Sequence, residues 1–336
     1  MDKNVSSMHS VSGNDIAVTV YCTAYNHEPY IAEALDSFVN QKTGFKFEVL
    51  VTDDASTDGT TAIIASYAEK YPDIIRFFHQ DENRFSKGGN LYEEVMYPNT
   101  RGRYVAYCEG DDFWNDTDKL RQQVDFLDSN PDYSACVHNS CYRFCDSSRE
   151  DEPVIPFRGD RDVPFSEVIT GMSRCFHTSS ILARAELLTS PPDFQRVAYR
   201  EGGFTDYPNA INFCLNGKVR FIDKPMSVYR VNSNPDSWQS GVRESYSKKI
   251  RFVKAEIAMM QALIPHVSGE NLRLTEAELH KRRYELLYLE GNVKEMMQPP
   301  YRDLFSKEPV GFKAKTLVKR FLPRLHNIYR NSKNYK

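Results

Sequence analysis

The first third of the chain repeats one pattern: a short apolar run rich in β-branched residues, a polar cluster at its end, then a helical period. Ile16–Cys22 (IAVTVYC), Phe47–Thr52 (FEVLVT), Ile74–His79 (IIRFFH) and Tyr104–Cys108 (YVAYC) have the length and composition of buried strands. Ile31, Leu35 and Phe38 share one face of a helical period over Tyr30–Asn40. A second helix is expected to start at Thr57-Asp58-Gly59-Thr60, with Ile63, Ile64 and Tyr67 as its apolar side, and Gly88-Gly89-Asn90 should open another. Strands alternating with helices build a mainly parallel sheet covered on both faces. Such sheets bind ligands at the C-terminal ends of their strands. The polar clusters stand there: Thr23 to Asn26 after the first run, Asp53-Asp54 after the second, Glu109 to Asp112 after the fourth.

The second half is less regular. Thr178–Leu182 and Val219–Ile222 read as strands, with a turn and helix over Phe204–Phe213 between them. From Tyr246 onward the periodicity is helical, with Ile250, Val253 and Ile257 on one stripe and Leu279, Arg283, Leu286 and Leu287 along a further helix. No internal repeat is present.

Composition narrows the function classes. A chain of 336 residues can bury one large core, and 40% hydrophobic with 26% charged residues is ordinary for a soluble globular protein. A formal net charge of -3 excludes general nucleic-acid binding, which needs a basic surface. No apolar run reaches the roughly 18 residues that span a bilayer. The 7 cysteines are odd in number, and Met1 to Asp15 carry no apolar core of a signal peptide. Reduced thiols and a cytoplasmic location are therefore expected. Cys136, His138, Cys141 and Cys145 cluster, but their spacing suits zinc poorly, while Val137 and Phe144 fit a strand.

The chemistry is carried by acids. Glu109-Gly110-Asp111-Asp112 packs three carboxylates into four residues after an apolar strand. Like charges so close raise each other's pKa unless a cation sits among them. A hard divalent ion with oxygen ligands answers that need, taking one or two protein carboxylates and completing its shell with substrate phosphates. A solvated acidic turn closed by Phe113-Trp114 is the alternative. Asp53-Asp54 adds an acidic pair beside it; helix capping by Ser56 or Asp58 accounts for part of VTDDASTDGT, but not for acids directly after a buried strand.

The segments VTVYCTAYNHEPYIAEALDSFVNQ, EVLVTDDASTDGT and YVAYCEGDDFWNDTDKLRQQVDFL, in this order, resemble the nucleotide-binding half of family 2 glycosyltransferases of the bacterial polysaccharide type. The resemblance covers Val18 to about Trp238 and implies a GT-A fold: an α/β, Rossmann-like sheet without the glycine-rich dinucleotide fingerprint, which this chain indeed lacks. Domains are expected at 1–14 (a disordered N-terminus), 15–240 (the GT-A domain, with a nucleotide-binding half to 130 and an acceptor half after it) and 241–336 (a helical extension).

The resemblance also implies roles. Thr23 and Tyr25 would line the nucleoside pocket, with Tyr25 stacking on the base, and Asp54 would accept from the base, as from uracil N3–H. Glu109 and Asp111 stand where the family has its DxD motif; Glu109 would face the ribose, and Asp111 with Asp112 would hold Mn²⁺ or Mg²⁺ bridging the diphosphate. Glu at the first position is a longer acid than the family's Asp. Arg84 and Asn90 lie in the stretch that borders the nucleotide; a solvated loop and a helix cap are their plain structural readings. In GGFTDYPNAINFCLNGKVRFIDKPMSVYRVN, Asp206 occupies the position of the general base, preceded by Thr205 in place of the commoner glycine. In SVYRVNSNPDSWQS, Asn232 replaces a histidine of similar sequences, Arg230 is a candidate diphosphate partner, and Trp238 a candidate lid residue. His177, in CFHTSSILA, is a candidate for the acceptor cleft, or else a satisfied, partly buried histidine.

The implied reaction is inverting transfer of a sugar from a nucleoside-diphosphate donor, a UDP-sugar, to a glycan or lipid-linked acceptor. The competing readings are a non-catalytic module that binds sugar nucleotides on the same fold, and a phosphoryl-transfer hydrolase with Asp53 or Asp54 as nucleophile. Beyond Glu308 the chain has no acid, and Lys313, Lys315, Lys319, Arg320, Arg324, Arg330, Lys333 and Lys336 alternate with apolar residues. Such a tail suits peripheral contact with anionic lipid at the inner face of the membrane, or docking as a terminal helix with a solvated basic face.

Overall fold

The structure is a computed structural model, and it describes residues 16–145, 149–157, 159–172, 175–231 and 246–321. Asn232, Trp238 and the basic tail beyond Phe321 lie outside them. The chain divides into two compact units, one within Met1–Pro191 and Asn209–Pro235, the other within Pro192–Pro208 and Asp236–Lys336. Pro192–Pro208 groups with the C-terminal helices.

The first unit is built on one mixed sheet. Its strands are β1 (Ile16–Ala24), β2 (Lys46–Asp53), β3 (Ile75–His79), β4 (Tyr104–Tyr107), β5 (Tyr133–Phe144), β6 (Glu152–Pro153), β7 (Arg161–Asp162), β8 (Leu182–Arg184) and β9 (Lys218–Val231). They run in the order β3-β2-β1-β4-β8-β5-β9-β7, with β6 on β5. The β3-β2-β1-β4 block is parallel. β8 is antiparallel to both its neighbours, and β5 and β9 pair in parallel. Val18, Val20, Val49, Val51 and Ala106 are fully or almost fully buried, as strands covered on both faces require. Helices α1 (Ile31–Val39), α2 (Thr60–Lys70) and α3 (Lys119–Ser129) supply Ile31, Leu35, Phe38, Ile64, Leu120, Val124 and Leu127 to the same core.

Three expectations from the sequence are revised. Thr178–Ser180 is a 3₁₀ turn, and the strand begins at Leu182. The run Thr-Ser-Ser carries hydroxyls that bond locally: Ser180 Oγ donates to the His177 carbonyl at 2.5 Å, which favours a turn over a ladder. The strand expected over Val219–Ile222 continues to Val231. Its pairing with β5 is irregular around Asn139, opposite Pro225, since proline donates no ladder hydrogen bond. The helix expected after Gly88-Gly89-Asn90 is short: a π-helical segment at Tyr92–Met96, then a turn at Tyr97–Asn99. Cys136, His138 and Cys141 lie along β5, and all seven cysteines are free thiols.

In the second unit, α4 (Asp193–Gly202), α6 (Tyr246–Leu263) and α7 (Gly269–Glu290) pack together, α6 against both others. The intervening helix α5 (Asp206–Asn216) has its first turn grouped with this unit. Helix α8 (Val310–Phe321) begins the basic tail.

Candidate active site at the ends of β1, β2 and β4

Strand register brings the polar clusters to one edge of the first unit. Ala24 pairs with Asp53, and Asp53 with His79. Past the ladder, Asp54 N–H donates to the Ala24 carbonyl (2.9 Å), Cys108 N–H to Tyr21 (3.1 Å) and Gly110 N–H to Thr23 (2.9 Å). The loops after β1 and β2 are stitched to each other. Asn26 Oδ1 accepts from Thr57 N–H at 2.9 Å, Glu28 Oε2 from Gly59 N–H at 2.8 Å, and Asp58 Oδ2 from Glu28 N–H at 3.1 Å. Asn26 and Ala55 sit at positive φ, 55° and 62°, a conformation that costs an L-residue energy and gathers at functional loops.

The acidic turn is fixed from below. A Cβ on Gly110 would lie 2.8 Å from Ile31 Cδ1 and 3.0 Å from His27 Nδ1, so a larger residue would make those side chains shift where the turn presses on the start of α1. Trp114 Nε1 donates to the Ser179 carbonyl at 3.0 Å, and its ring meets Phe38 edge-on at 4.8 Å. Lys119, fully buried, sets its ammonium 4.1 Å from the Trp114 ring centroid and donates to Gln123 Oε1 at 2.8 Å. Burial pulls its pKa down to about 7. Gln123 Nε2 in turn donates to the carbonyls of Cys136 (2.6 Å) and Ser180 (2.8 Å). Phe113-Trp114 therefore closes the core beneath the acids, as the alternative reading of the turn had it, and the acids stay at its rim.

The carboxylates are not equivalent. Asp112 is 2% exposed and accepts the Arg230 backbone N–H at 3.0 Å. Burial, then the charges of Asp111 and Glu109, push its pKa well up. Glu109 and Asp111 are half-buried, and His27 Nε2 stands 3.9 Å from Asp111 Oδ2. Arg230 is 5% exposed; its guanidinium donates to the Asp111 carbonyl at 2.5 Å and pairs with Glu33, over the rings of Phe113 and Tyr30. It thus holds the backbone of the turn.

Asp54 is 4% exposed, and its two oxygens accept the N–H groups of Arg84 (2.7 Å) and Phe85 (3.1 Å). The carboxylate thus holds the loop after β3. Arg84 is exposed on that loop. Asn90 Oδ1 accepts from Tyr92 N–H (3.1 Å) and Glu93 N–H (3.3 Å), as a helix cap does. Asp53 is spent on Thr61 Oγ1 (2.5 Å), Ser56 and His79. Thr23 and Tyr25 are half-buried at the end of β1 and just after it. His177, half-buried before β8, stacks on Tyr229 with ring centroids 4.2 Å apart. Burial lowers its pKa to about 4, against the opposing pull of the Asp111 charge. Asp206 opens α5 in the second unit, accepts Tyr207 N–H at 2.9 Å, and has its pKa raised by burial.

Glu109 and Asp111 offer hard oxygen donors, and among the described residues no group of three His, Cys, Asp or Glu is gathered to cage an ion. That donor set fits Mg²⁺ or Mn²⁺, which take few protein carboxylates and fill the rest of their shell with phosphate oxygens and water. Lys119, Gln123 and Arg230 are the supporting residues. Sequence reasoning passed over the first two, although Lys119 and Gln123 stand i,i+4 on the same face as Leu120, Val124 and Leu127.

Comparison with known proteins agrees with this geometry. The model of glycosyl transferase family 2 matches residues 19–182. The Mycobacterium tuberculosis protein Rv1520 is 29% identical over 270 residues, covering 76% of this chain and 70% of that protein. TuaG of Bacillus subtilis, named for teichuronic acid biosynthesis, is 34% identical over 110 residues, 33% of this chain and 41% of its own. Among solved structures, S. aureus TarS 1-349 in complex with UDP-GlcNAc superposes with a TM-score of 0.59 at 18% identity, covering 90% of this chain and 79% of that one. The mannosyltransferase PcManGT of Pyrobaculum calidifontis, in complex with GDP-Man and Mn2+, gives 0.50 at 20% identity, covering 92% and 82%. These structural likenesses speak to the fold. Residues 19–182 form a glycosyl transferase family 2 domain, on a GT-A fold.

Proposed function

We propose that the chain moves one sugar, with inversion, from a UDP-sugar to a glycan or lipid-linked acceptor. The observation that carries this reading is the acidic turn: Glu109 and Asp111 held half-buried at the end of β4, with Gly110 N–H bonded to the Thr23 carbonyl. UDP-GlcNAc in the TarS complex, and GDP-Man with Mn2+ in PcManGT, support a nucleotide-sugar donor and a divalent ion. Thr23 and Tyr25 would line the nucleoside pocket, and Asp54 would shape it through the Arg84–Phe85 loop. Glu109 would face the ribose. Asp111 would be the chief protein ligand of the ion, which when bound neutralises charge on the departing diphosphate. Asp206 would take the proton from the acceptor hydroxyl, a role that a half-buried carboxylate with a raised pKa suits. A hydrolase with Asp53 as nucleophile is disfavoured, because that carboxylate is occupied by Thr61, Ser56 and His79.

The test is a panel of nucleotide sugars with and without Mn²⁺, read as release of nucleoside diphosphate. Metal-dependent release with one donor, abolished by Asp111→Ala and lowered at least about a hundredfold by Asp206→Asn, is expected. Binding without release would make the chain a non-catalytic module.

The basic tail would give peripheral contact with the inner membrane face. Phe312 packs on Tyr288, ring centroids 4.7 Å apart, and Thr316 is buried. The first turns of α8 are therefore docked, and the lipid contact falls to the residues that follow. Truncation of 322–336 is expected to abolish sedimentation with vesicles rich in anionic lipid; undiminished binding would assign the tail to packing alone.

A further inference from the structure

A chain of buried hydroxyls runs from β5 through β9 to His177. Ser140 Oγ lies 2.7 Å from Ser227 Oγ, Ser227 Oγ 2.9 Å from Ser179 Oγ, and Ser179 Oγ 2.8 Å from His177 Nδ1. The three serines are at most 1% exposed. Their order is directional. The backbone N–H of Ser179 reaches the same Nδ1 at 3.3 Å, and a backbone amide can only donate. Nδ1 is therefore the unprotonated nitrogen, and the ring proton sits on Nε2. Ser179 O–H must then donate to Nδ1, Ser227 to Ser179, and Ser140 to Ser227. Each bond polarises the next. No described residue accepts from Nε2 in the hydrogen bonds of His177.

We propose that the Ser140–Ser227–Ser179 relay locks His177 as its Nε2–H tautomer and makes it a hydrogen-bond donor to a sugar hydroxyl oxygen at the edge of the acidic turn. Three observations place it there. Trp114, two residues past Asp112, donates to the carbonyl of Ser179, the residue that caps onto His177. Tyr229, stacked on His177, directly precedes Arg230, whose guanidinium grips the Asp111 carbonyl. The Asp111 charge is also felt at the imidazole. The stack on Tyr229 fixes the ring plane, and the relay fixes which nitrogen carries the proton. An imidazole so held donates one directed hydrogen bond and carries no charge that would compete with a cation at Asp111. His177 is on this account a positioning residue for the sugar, and the inference rests on the donor reading above only for its ligand.

Histidine-detected long-range ¹H–¹⁵N correlation on the full chain tests it. The expected spectrum has His177 with a pyridine-like Nδ1 and a protonated Nε2, and Ser227→Ala mixes the tautomers. A protonated Nδ1 in the wild type overturns the relay. Nucleotide sugars (UDP-glucose, UDP-GlcNAc, GDP-mannose) and then UDP and GDP alone are added in turn. One of the sugar nucleotides should shift His177 Nε2–H while its parent nucleotide does not. Shifts of the Thr23 and Tyr25 backbone amides, followed in a parallel ¹H–¹⁵N amide spectrum, with His177 unmoved by every sugar nucleotide sink this inference alone; no shift in either spectrum sinks the donor reading with it. His177→Asn, whose side-chain oxygen can replace Nδ1 as the cap, should keep the melting temperature yet lose the difference in affinity between sugar nucleotide and parent nucleotide. Retention of that difference would reduce His177 to a cap.

Discussion

At the scale of single residues, adjacent acids divide the work of the turn by burial. Asp112 has the Arg230 N–H as its partner and a pKa driven up by burial, Asp111 and Glu109, and we propose that the half-buried Asp111 is the chief ligand of the ion. Asp112→Asn preserves the accepting oxygen and should keep nucleotide release within about tenfold of wild type, whereas Asp111→Asn should lose roughly a hundredfold or more. Equal losses measured in the two variants would return Asp112 to the ion. Glycine 110 is legible in the sequence only as a tight turn; its closer duty, admitting Ile31 Cδ1 and His27 Nδ1 against the backbone, needs the fold.

At the scale of elements, the strands β1, β2, β3 and β4 and the helices α1 and α2 were readable because a buried parallel strand writes itself as an unbroken apolar run. Thr178–Ser180 and β9 were not. Hydroxyl-rich residues satisfy their own backbone, and a long strand interrupted by Pro225 has no clean period. The acids at the strand ends were visible as a cluster, yet their differing partners were not, since Arg230 comes to Asp112 from 118 positions away. The same blindness hid the pairing of α6 with α7. There Glu256, 3.5 Å from Arg282, has its pKa raised to about 7 by burial, more than Arg282 lowers it. The folded state keeps a proton that the unfolded chain releases near the ordinary glutamate value of 4.5. Stability from this group is therefore full below that value and is lost as pH rises toward about 7, by on the order of 3 kcal/mol. Glu256→Gln should match wild type in urea melts at about pH 4 and exceed it at about pH 8. A variant less stable than wild type at the higher pH would mean that the Arg282 pair outweighs burial.

At the scale of the molecule, a parallel block of four strands and an antiparallel neighbour present one rim, and the chain gathers its exceptions to ordinary folding there. Two non-glycine residues at positive φ, a glycine pressed against Ile31 and His27, and the carboxylates of the acidic turn all lie along the ends of β1, β2 and β4. Departures from local rules concentrate where function is. The resemblance read from three segments of sequence reached the family and the fold; the unequal burial of the acids came from the packing beneath them.

The central claim is that the turn after β4 binds a nucleoside diphosphate through a cation held by Asp111. Calorimetric titration of UDP into the wild type and Asp111→Ala, each with and without Mn²⁺, addresses it most directly. Manganese should tighten UDP binding to the wild type by at least about tenfold, or about 1.4 kcal/mol, and leave the variant unaffected while its circular dichroism stays native. An equal effect of manganese on both proteins, or none on the wild type, would contradict the account.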